Sequence, residues 1–344
     1  MTTKDIAKIC NVSTATVSNI LNGKGKASEQ TVKMVMEVVE KYNYRPNYIA
    51  QGLRRKITNT IGIVAEDISQ FTTPDILEGV MEECEKAGYR VIVENLRFYA
   101  RWKDRWYDSD VDIQSKLDPA IDELKAVRVD GAVYIAGHAR EIKGFSEKLK
   151  VPNVIAYAYS DYEHTTSVMI DDVLGGYEMT KYLLSMGHRK IAFIGGRRDN
   201  MHTIRRLEGY QKAIFESGVL FNPNLVKYTD WSREEAYEKM KELEGGDFTA
   251  VFSISDKMCG GVYDFLEEKG LTAGKDISVA GYDDSEIAAY FRPGLTTMAI
   301  NLKEVGRVAA RKLIEEMNGK EAAGEKVYVP CFMVKRNSVA TIDQ

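Results

Sequence analysis

The sequence predicts a small all-α head with a helix-turn-helix, followed by a larger α/β body of two lobes, each a doubly wound parallel sheet. Three observations predict this fold class. Helical periodicity broken by turn residues fills the first 45 residues, β-rich and amphipathic helical stretches then alternate in two series, and positive charge is concentrated near the N-terminus. With 344 residues and 44% hydrophobic content, the chain can form two or three domains with full cores.

Charge divides the chain unevenly. Residues 1–60 contain ten lysines and arginines against four acidic residues, whereas the remainder contains 37 against 47. A small basic head on an acidic body indicates that the head meets a polyanion while the body stays in solution. Chance clustering of solvated surface charge is the alternative that charge alone leaves open.

The N-terminal stretch MTTKDIAKIC and the cysteine content indicate the compartment. Charged residues stand where a secretory signal needs an apolar core, and no apolar run reaches membrane-spanning length. The four cysteines lie far apart with no CxxC pair, which argues against a disulfide framework or a zinc site. We therefore expect a cytoplasmic protein that contacts no membrane and uses no metal or cofactor.

Cap and turn residues predict three short helices in the head. Thr3 is expected to cap the first helix, Ser13 the second, over Thr14–Leu21, and Ser28 the third. Asn11 suits a left-handed turn between the first two helices. Apolar residues at helical spacing give each helix a buried face: Ile6, Ala7 and Cys10, then Val17, Ile20 and Leu21, then Val32, Val35, Val39 and Tyr42.

The second of these helices, within VSTATVSNILN, has a polar face made only of small residues. In a helix-turn-helix unit the second helix enters the DNA major groove, and small side chains let its backbone approach the base edges. DNA contact is therefore one interpretation. An ordinary helical hairpin that uses Ser and Thr as caps is an equal alternative on this pattern alone.

Beyond the head, strands and helices alternate in two series. The first series has the strands IGIVAED, YRVIVEN, GAVYIAG and NVIAYAY, with helices near 74–87 and 113–126. The second has KIAFIGG, LVKYTDW, AVFSISD and ISVAGYDD, with helices near 206–217, 232–243 and 257–269. This alternation predicts one parallel sheet per series, and ligands then bind in the cleft beyond the carboxyl ends of the strands.

Enzyme motifs are absent or incomplete in this sequence. GLTAGKD is one residue short of a phosphate-binding loop and ends in Asp where Ser or Thr should bind magnesium. IGGRRD lacks the third glycine of a dinucleotide fingerprint, and no GxSxG elbow occurs. The histidines show no metal spacing and are expected at surface or turn positions: His138, His164, His188 and His202. We therefore expect a binding protein and not an enzyme.

The chain resembles bacterial transcription repressors of the lactose-repressor (LacI/GalR) family. The stretches that carry the resemblance are KDIAKICNVSTATVSNILNGKGKASEQT, with the pattern V-S-x-x-T-V-S-x-x-L-N, then YNYRPNYIAQGLRRKITNTIGIV, and later RLEGY, SISD, ISVAGYDD and PGLTT. The resemblance thus covers nearly the whole chain. Asn11 stands where the family usually has Gly, but Asn tolerates positive φ, so the turn should be kept.

The resemblance implies a helix-turn-helix head over 1–45, a hinge helix or linker over 46–58, and an effector-binding and dimerisation body over 59–344. The body should have the two-lobed fold of periplasmic sugar-binding proteins, with three crossings of the chain between the lobes. We expect one lobe to contain 59–160 with 292–326, and the other to contain 161–291 with 327–344.

By the same resemblance, the chain is a sequence-specific DNA-binding transcriptional regulator, expected to be a repressor, that works as a homodimer on a near-palindromic operator with a central CG step. A small effector, expected to be a sugar, would control operator affinity allosterically; a nucleobase or a protein co-regulator is the alternative. Only TIDQ follows Ala340, without leucine heptads, so a tetramer is not expected. The competing class is a sugar-binding sensor or transport protein without specific DNA binding.

DNA contacts are expected from three groups of residues. Thr14, Ala15 and Asn19 would read base edges, with Asn19 as a bidentate partner of adenine. Phosphate or backbone contacts are expected from Thr3, Ser13, Thr16, Asn22, Ser28, Thr31, Tyr44, Asn47 and Arg54. In the hinge, Ala50 would let two hinge helices approach, and Leu53 would insert into the minor groove at the central step. A flexible basic linker is the alternative for this segment.

Six residues near predicted strand ends form the expected effector site. Arg206 in RRLEGY matches the family arginine that holds effector hydroxyls, and its fork suits paired oxygen acceptors. Asp256 and Asp283 can accept from sugar hydroxyls, with helix capping as the alternative. Aromatic faces come from Phe71, Tyr157 and Trp231, each of which could equally be a core residue.

The segment Leu96–Asp112, LRFYARWKDRWYDSDVD, departs from the short acidic stretch usual in the family. Trp102 and Trp106 lie four residues apart within it. A lid or a partner surface is one interpretation. A mobile exposed loop is the other, and it is the one we favour.

Overall fold

The computed structural model describes residues 1–21, 27–44, 57–105, 112–321 and 324–342. The chain divides into two compact units, Met1–Asn59 and Thr60–Gln344, which are described separately below as the head and the body. Five predicted DNA-contacting residues lie outside the described residues: Asn22, Asn47, Ala50, Leu53 and Arg54.

Thr2, and not Thr3, caps the first helix of the head. The Thr2 hydroxyl accepts from the backbone amide of Asp5 at 3.3 Å, and the Asp5 carboxylate accepts in return from the Thr2 amide at 2.7 Å. This reciprocal capping box explains the error, because three residues after Thr3 stands Ile6, which has no side-chain acceptor. The helices of the head are α1 (Thr3–Ile9), α2 (Thr14–Leu21) and α3 (Glu29–Lys41).

The turn and most of the core of the head agree with the sequence-based expectations. Asn11 has a φ of 50°, which confirms the left-handed turn. In α3, however, only Val35 is fully buried, whereas Val32 is 37% exposed, and Tyr42, which caps the end of the helix, is 49% exposed. The buried stripe of this helix is narrower than its apolar pattern, and the fully buried residues of the head are Ile6, Ala7, Cys10, Val17 and Val35.

The body contains two six-stranded sheets, one in each lobe. The first has the order β11-β5-β4-β3-β1-β2 and is entirely parallel. The second has the order β12-β10-β9-β8-β6-β7, in which only β12 is antiparallel. The strands are β1 (Thr60–Ala65), β2 (Arg90–Asn95), β3 (Gly131–Ile135), β4 (Asn153–Ala156), β5 (Thr166–Ile170), β6 (Ile191–Gly195), β7 (Val226–Tyr228), β8 (Ala250–Ser253), β9 (Ser278–Asp283), β10 (Thr296–Ala299), β11 (Lys326–Val329) and β12 (Phe332–Val334).

Helices cover the sheets, and each lobe has its own buried core. In the first lobe, α4 and α12 pack so closely that a Cβ added to Gly79 would lie 2.0 Å from the carbonyl oxygen of Lys303. No helix in the described ranges is long and apolar enough to cross a membrane. The helices of the body are α4 (Thr73–Lys86), α5 (Phe98–Trp102), α6 (Gln114–Val127), α7 (Asp172–Ser185), α8 (Met201–Glu216), α9 (Arg233–Glu242), α10 (Asp256–Glu268), α11 (Ile287–Tyr290) and α12 (Leu302–Met317), with 3₁₀ turns at Lys103–Arg105 and Pro223–Leu225.

The chain crosses between the lobes three times, but later than predicted. Strand β5 still belongs to the first sheet and β10 belongs to the second, so the first two crossings lie at 171–172 and 300–301 instead of at 160 and 291. The third lies at 330–331, between β11 and β12, instead of at 327. The lobe boundaries, which were expected only approximately, therefore lie later in the chain. Strands β5 and β10 are short and buried along their whole length, so neither shows the alternation that marks a strand in sequence.

Candidate functional site

A cavity of about 300 Å³ lies in the body, where the carboxyl ends of strands from the two lobes face each other. Its volume is at the lower end of the range typical of small-molecule sites, about 300–1,000 Å³. Five of the six residues expected at the effector site line this cavity: Phe71 and Tyr157 from the first lobe, and Arg206, Trp231 and Asp283 from the second.

Arg206 is held rigidly at the back of the cavity. Its side chain lies on α8, which begins at Met201 and not near 206 as predicted, and is only 2% exposed. Nε donates to Asp172 Oδ1 at 2.7 Å, and Nη1 donates to the carbonyl oxygen of Ile254 at 2.6 Å. The guanidinium also lies 3.7 Å from the ring centroid of Tyr282, a cation–π contact. These contacts fix the orientation of the guanidinium fork.

Asp172, which the sequence analysis did not identify, is the main anchor of the site. Its second oxygen, Oδ2, lies 2.7 Å from His202 Nδ1, so one carboxylate holds two cavity-lining side chains. Burial alone would raise the pKa of Asp172, but the charge of Arg206 and the hydrogen bonds from His202 and Arg206 outweigh burial and lower it. The only signal in the sequence is an acidic residue directly after TSVMI, and that strand was itself not predicted.

Asp256 does not line the cavity, so its assignment as a direct effector ligand was wrong. It is fully buried; Oδ1 accepts from Thr297 Oγ1 at 2.6 Å, and Oδ2 accepts from the amide and hydroxyl of Ser285 at 2.8 and 3.1 Å. Burial raises the pKa of Asp256, and the nearby charge of Asp283 raises it further. Through its hydrogen bonds, Asp256 holds Ser285, which does line the cavity.

Asp283 lies within the cavity beside the arginine. Its Oδ1 is 3.6 Å from Arg206 Nη1. Burial raises the pKa of Asp283, and the neighbouring guanidinium offsets part of this effect. The carboxylate and the arginine thus present an acceptor and a donor side by side at one edge of the cavity.

Three residues that line the cavity have unusual backbone geometry. Tyr157, Trp231 and Asp283 have φ values of 66°, 72° and 112°, in the region that non-glycine residues rarely adopt. Such conformations cost about 1–3 kcal/mol each and concentrate at ligand sites, where the surrounding structure enforces them. The indole of Trp231 in addition packs flat on Gly196, where an added Cβ would lie 2.0 Å from Trp231 Cε2.

Two histidines line the cavity, contrary to the surface or turn positions expected for them. His202 is 4% exposed and contacts Asp172 as described. Burial lowers the pKa of His138 to about 3, so this imidazole is neutral at physiological pH. His188 does lie in the turn between α7 and β6, as predicted, but it is fully buried there. Sequence spacing could not reveal the cavity histidines, because their neighbours come from distant segments.

The described part of Leu96–Asp112 is not a mobile exposed loop. It contains the short helix α5, in which Phe98 is fully buried and packs against the ring of Trp102 at 5.0 Å. Asp67 Oδ2 accepts from the amide of Tyr99 at 2.8 Å, which ties α5 to the loop that carries Phe71. The other two aromatic residues of the segment, Trp106 and Tyr107, lie outside the described residues.

In the head, the residues expected to read bases lie together on one exposed face of α2: Thr14, Ala15 and Asn19. Ser13 Oγ accepts from the amide of Thr16 at 3.0 Å, and the two hydroxyl oxygens lie 2.8 Å apart. Ser28 and Thr31 repeat this arrangement at the start of α3, at 3.2 and 2.8 Å. Each pair places hydroxyls beside a helix N-terminus, which favours an anionic partner such as phosphate. Thr3 and Tyr44, expected beside these contacts, are both half-buried.

Comparison with known proteins agrees with both units. A model of bacterial regulatory proteins of the lacI family matches residues 2–47, and a model of periplasmic binding protein-like domains matches residues 180–339. The HTH-type transcriptional regulator RegA of Clostridium saccharobutylicum is 32% identical, over 97% of this chain and 98% of that protein. The ribose operon repressor of Haemophilus influenzae is 28% identical, over 99% of both. The crystal structure of a lac repressor dimer bound to operator and the anti-inducer ONPF matches with a TM-score of 0.81, over 99% of both chains at 24% identity.

Proposed function

The chain belongs to the lacI family of bacterial regulatory proteins, and from that premise we propose that it controls transcription in response to a small uncharged sugar bound in the cleft. The chain is a DNA-binding transcriptional regulator and not an enzyme. The chemical class of the effector is inferred from the residues that line the cavity.

The observation that carries the choice of effector is the charge balance around Arg206. Its guanidinium donates to Asp172 and lies beside Asp283, so its positive charge is already compensated. Lys257 and Asp230 also line the cavity, and the charge of Lys257 contributes to lowering the pKa of Asp230. Among the described lining residues, formal positive and negative charges are thus equal in number, which favours a neutral ligand over a phosphorylated one.

The remaining features of the cavity suit a polyhydroxyl ring. Phe71, which is 59% exposed, and Trp231 belong to opposite lobes and offer aromatic faces for the apolar side of a sugar. Arg206 offers donors, while Asp283 and Ser285 offer acceptors for hydroxyl groups. The name of one relative, a ribose operon repressor, points in the same direction.

Isothermal titration calorimetry against neutral sugars, the corresponding sugar phosphates and nucleobases tests this proposal. We expect a neutral sugar to bind and Arg206→Lys to weaken that binding about ten- to hundredfold, because lysine keeps the charge beside Asp172 but loses the fork. Arg189→Lys is the matched control, since Arg189 bonds to the carbonyl oxygen of Leu184, away from the cavity. Tighter binding of a phosphorylated sugar or a nucleobase, or undiminished binding in Arg206→Lys, would contradict the proposal.

We further propose that the protein works in the cytoplasm as a homodimer on a near-palindromic operator with a central CG step. The exposed polar face of α2 and the hydroxyl pairs at two helix starts support DNA binding by the head. The hinge contacts of Ala50 and Leu53 rest on the family resemblance alone. Sedimentation of the full chain tests the dimer, and a monomer would refute it. Fluorescence anisotropy compares a duplex that contains a near-palindrome with a central CG step with a scrambled duplex; equal affinity for both would refute specific binding.

A further inference from the structure

We propose that His202 is a positioning residue that links the effector arginine to the opposite lobe. His202 lies in the first turn of α8 in the second lobe, yet its Nε2 is 3.2 Å from the backbone nitrogen of Ala139, which follows β3 in the first lobe. The inference rests on the proposed function, because it concerns how the effector site is coupled to the arrangement of the lobes.

The hydrogen bonds determine where the imidazole proton lies. A backbone amide can only donate, so Nε2 of His202 is the acceptor for Ala139 and carries no proton. We therefore assign the proton to Nδ1, which donates to Asp172 Oδ2 at 2.7 Å. The imidazole is thus bonded on both sides, to one lobe through Nε2 and to the other through Nδ1.

The Asp172 carboxylate extends this link into the cavity. Its Oδ1 accepts from Arg206 Nε at 2.7 Å, so a continuous chain of hydrogen bonds runs from Ala139 through His202 and Asp172 to Arg206. Asp172 is also the first residue after the first crossing between the lobes. A ligand that shifts Arg206 therefore acts on the same carboxylate that orients the interlobe histidine.

Packing supports the same role. The His202 ring lies 5.0 Å from the ring of Tyr157, which belongs to the first lobe and has a φ of 66°. His202 thus contacts the first lobe through both a hydrogen bond and a ring face. His188, which is equally buried, differs in this respect: it bonds to Thr249 Oγ1 and to the carbonyl oxygen of Ala340, both in the second lobe.

Two substitutions separate the interlobe bond from the rest of the histidine. His202→Asn keeps an amide near the Nδ1 position, within reach of Asp172, but is too short to reach Ala139. His202→Gln places its amide near the Nε2 position, where the oxygen can accept from the Ala139 amide. His188→Asn is the matched control, because it removes a buried histidine whose bonds to Thr249 and Ala340 both lie within the second lobe.

Hydrogen exchange of residues 136–142, measured on the full chain without added sugar, tests the proposal. We expect His202→Asn to speed exchange in this segment about fivefold, as for loss of one hydrogen bond of ordinary net strength, and His202→Gln to stay near wild type. His188→Asn should lower the melting temperature without changing exchange in 136–142. Thermal melts of all variants show that each is folded under the conditions of exchange.

Exchange at wild-type rates in His202→Asn, or equal acceleration in the Asn and Gln variants, would overturn the proposal, since the interlobe bond would then contribute nothing beyond packing. The sugar identified by calorimetry provides the second readout: its affinity should fall several-fold in both variants, because His202→Asn loses the bond to Ala139 and His202→Gln loses the bond to Asp172. Undiminished affinity in both variants would show that the chain of bonds does not support sugar binding. Exchange is measured without sugar, so it tests the interlobe bond even if no sugar effector is found. Calorimetry can likewise identify a sugar effector even if the interlobe bond proves to contribute nothing.

Discussion

Removal of the Asp172 carboxylate should destabilise the body far more than removal of its neighbour. Asp172→Ala leaves Arg206 and His202 buried without their shared acceptor. Breaking a buried ion pair from one side costs about 3–5 kcal/mol in the free energy of unfolding. We expect the lower end of this range, because the Arg206 guanidinium keeps Asp283 at 3.6 Å and the Tyr282 ring at 3.7 Å.

Asp171→Ala is the matched control for this substitution. Asp171 caps α7 by accepting from the amide of Leu174 at 3.0 Å, and loss of such a cap costs about 1 kcal/mol. Urea unfolding followed by circular dichroism and tryptophan fluorescence gives both values from the shift in midpoint. If Asp172→Ala proved no more destabilising than Asp171→Ala, the proposed anchoring role of this carboxylate would be refuted.

The contribution of Asp172 to the free energy of unfolding should depend on pH, because the pKa of this carboxyl group is lowered in the folded protein. A carboxyl group whose folded pKa is depressed stabilises the fold fully above its unfolded pKa, about 3.9, and loses this contribution as the pH falls through the folded value. The difference in unfolding free energy between wild type and Asp172→Asn should therefore be constant near neutral pH and shrink only below about pH 4. A difference that shrank already between pH 7 and 5 would assign the effect to another group.

Three further substitutions test the head and the cavity. Asn19→Ala should weaken binding by about 1–3 kcal/mol at one operator position per half-site, and equal weakening across a panel of mutated operators would argue against base reading. Gly196→Ala should displace the Trp231 indole, because the added Cβ would clash with it, and weaken sugar binding about three- to tenfold in calorimetry. Unchanged affinity would show that the Trp231 ring does not contact the sugar. Thr2→Ala should cost the head about 0.5–2 kcal/mol, whereas Thr3→Ala should cost less; equal melting temperatures would contradict the capping box.

Local signals made some elements predictable from the sequence. The bounds of α2 agree with prediction because Ser13 offers a side-chain cap at its start. The long apolar strands were predictable for a similar reason, since GAVYI and IAFIG are each buried along their length between clear turn residues. Strands β5 and β10 were missed because both mix threonine with apolar residues.

The site was predictable only where one residue carries the signal by itself. Arg206 stands in a recognisable motif, and the structure does place it in the cavity. Asp172, His202 and Ala139 come from three segments that meet only after both sheets have formed, and no spacing in the sequence connects them. Asp256, in contrast, was predicted to line the cavity but does not. An acidic residue at a strand end is expected to face the cleft, whereas the Asp256 carboxylate accepts hydrogen bonds from Ser285 and Thr297 in the structure.

The corrected crossing point has a mechanical consequence for the effector site. If the first crossing lay at 160, the carboxylate that orients Arg206 would belong to the interior of the second lobe, and its movement would have to pass through packed helices to reach the first. The crossing instead lies at 171–172, so Asp172 is itself the point at which the chain passes from one lobe to the other. The Arg206 guanidinium is therefore one hydrogen bond away from the connection between the lobes. We expect a ligand that displaces Arg206 to act on this connection directly, as in hinge-type closure, without a long pathway through the core.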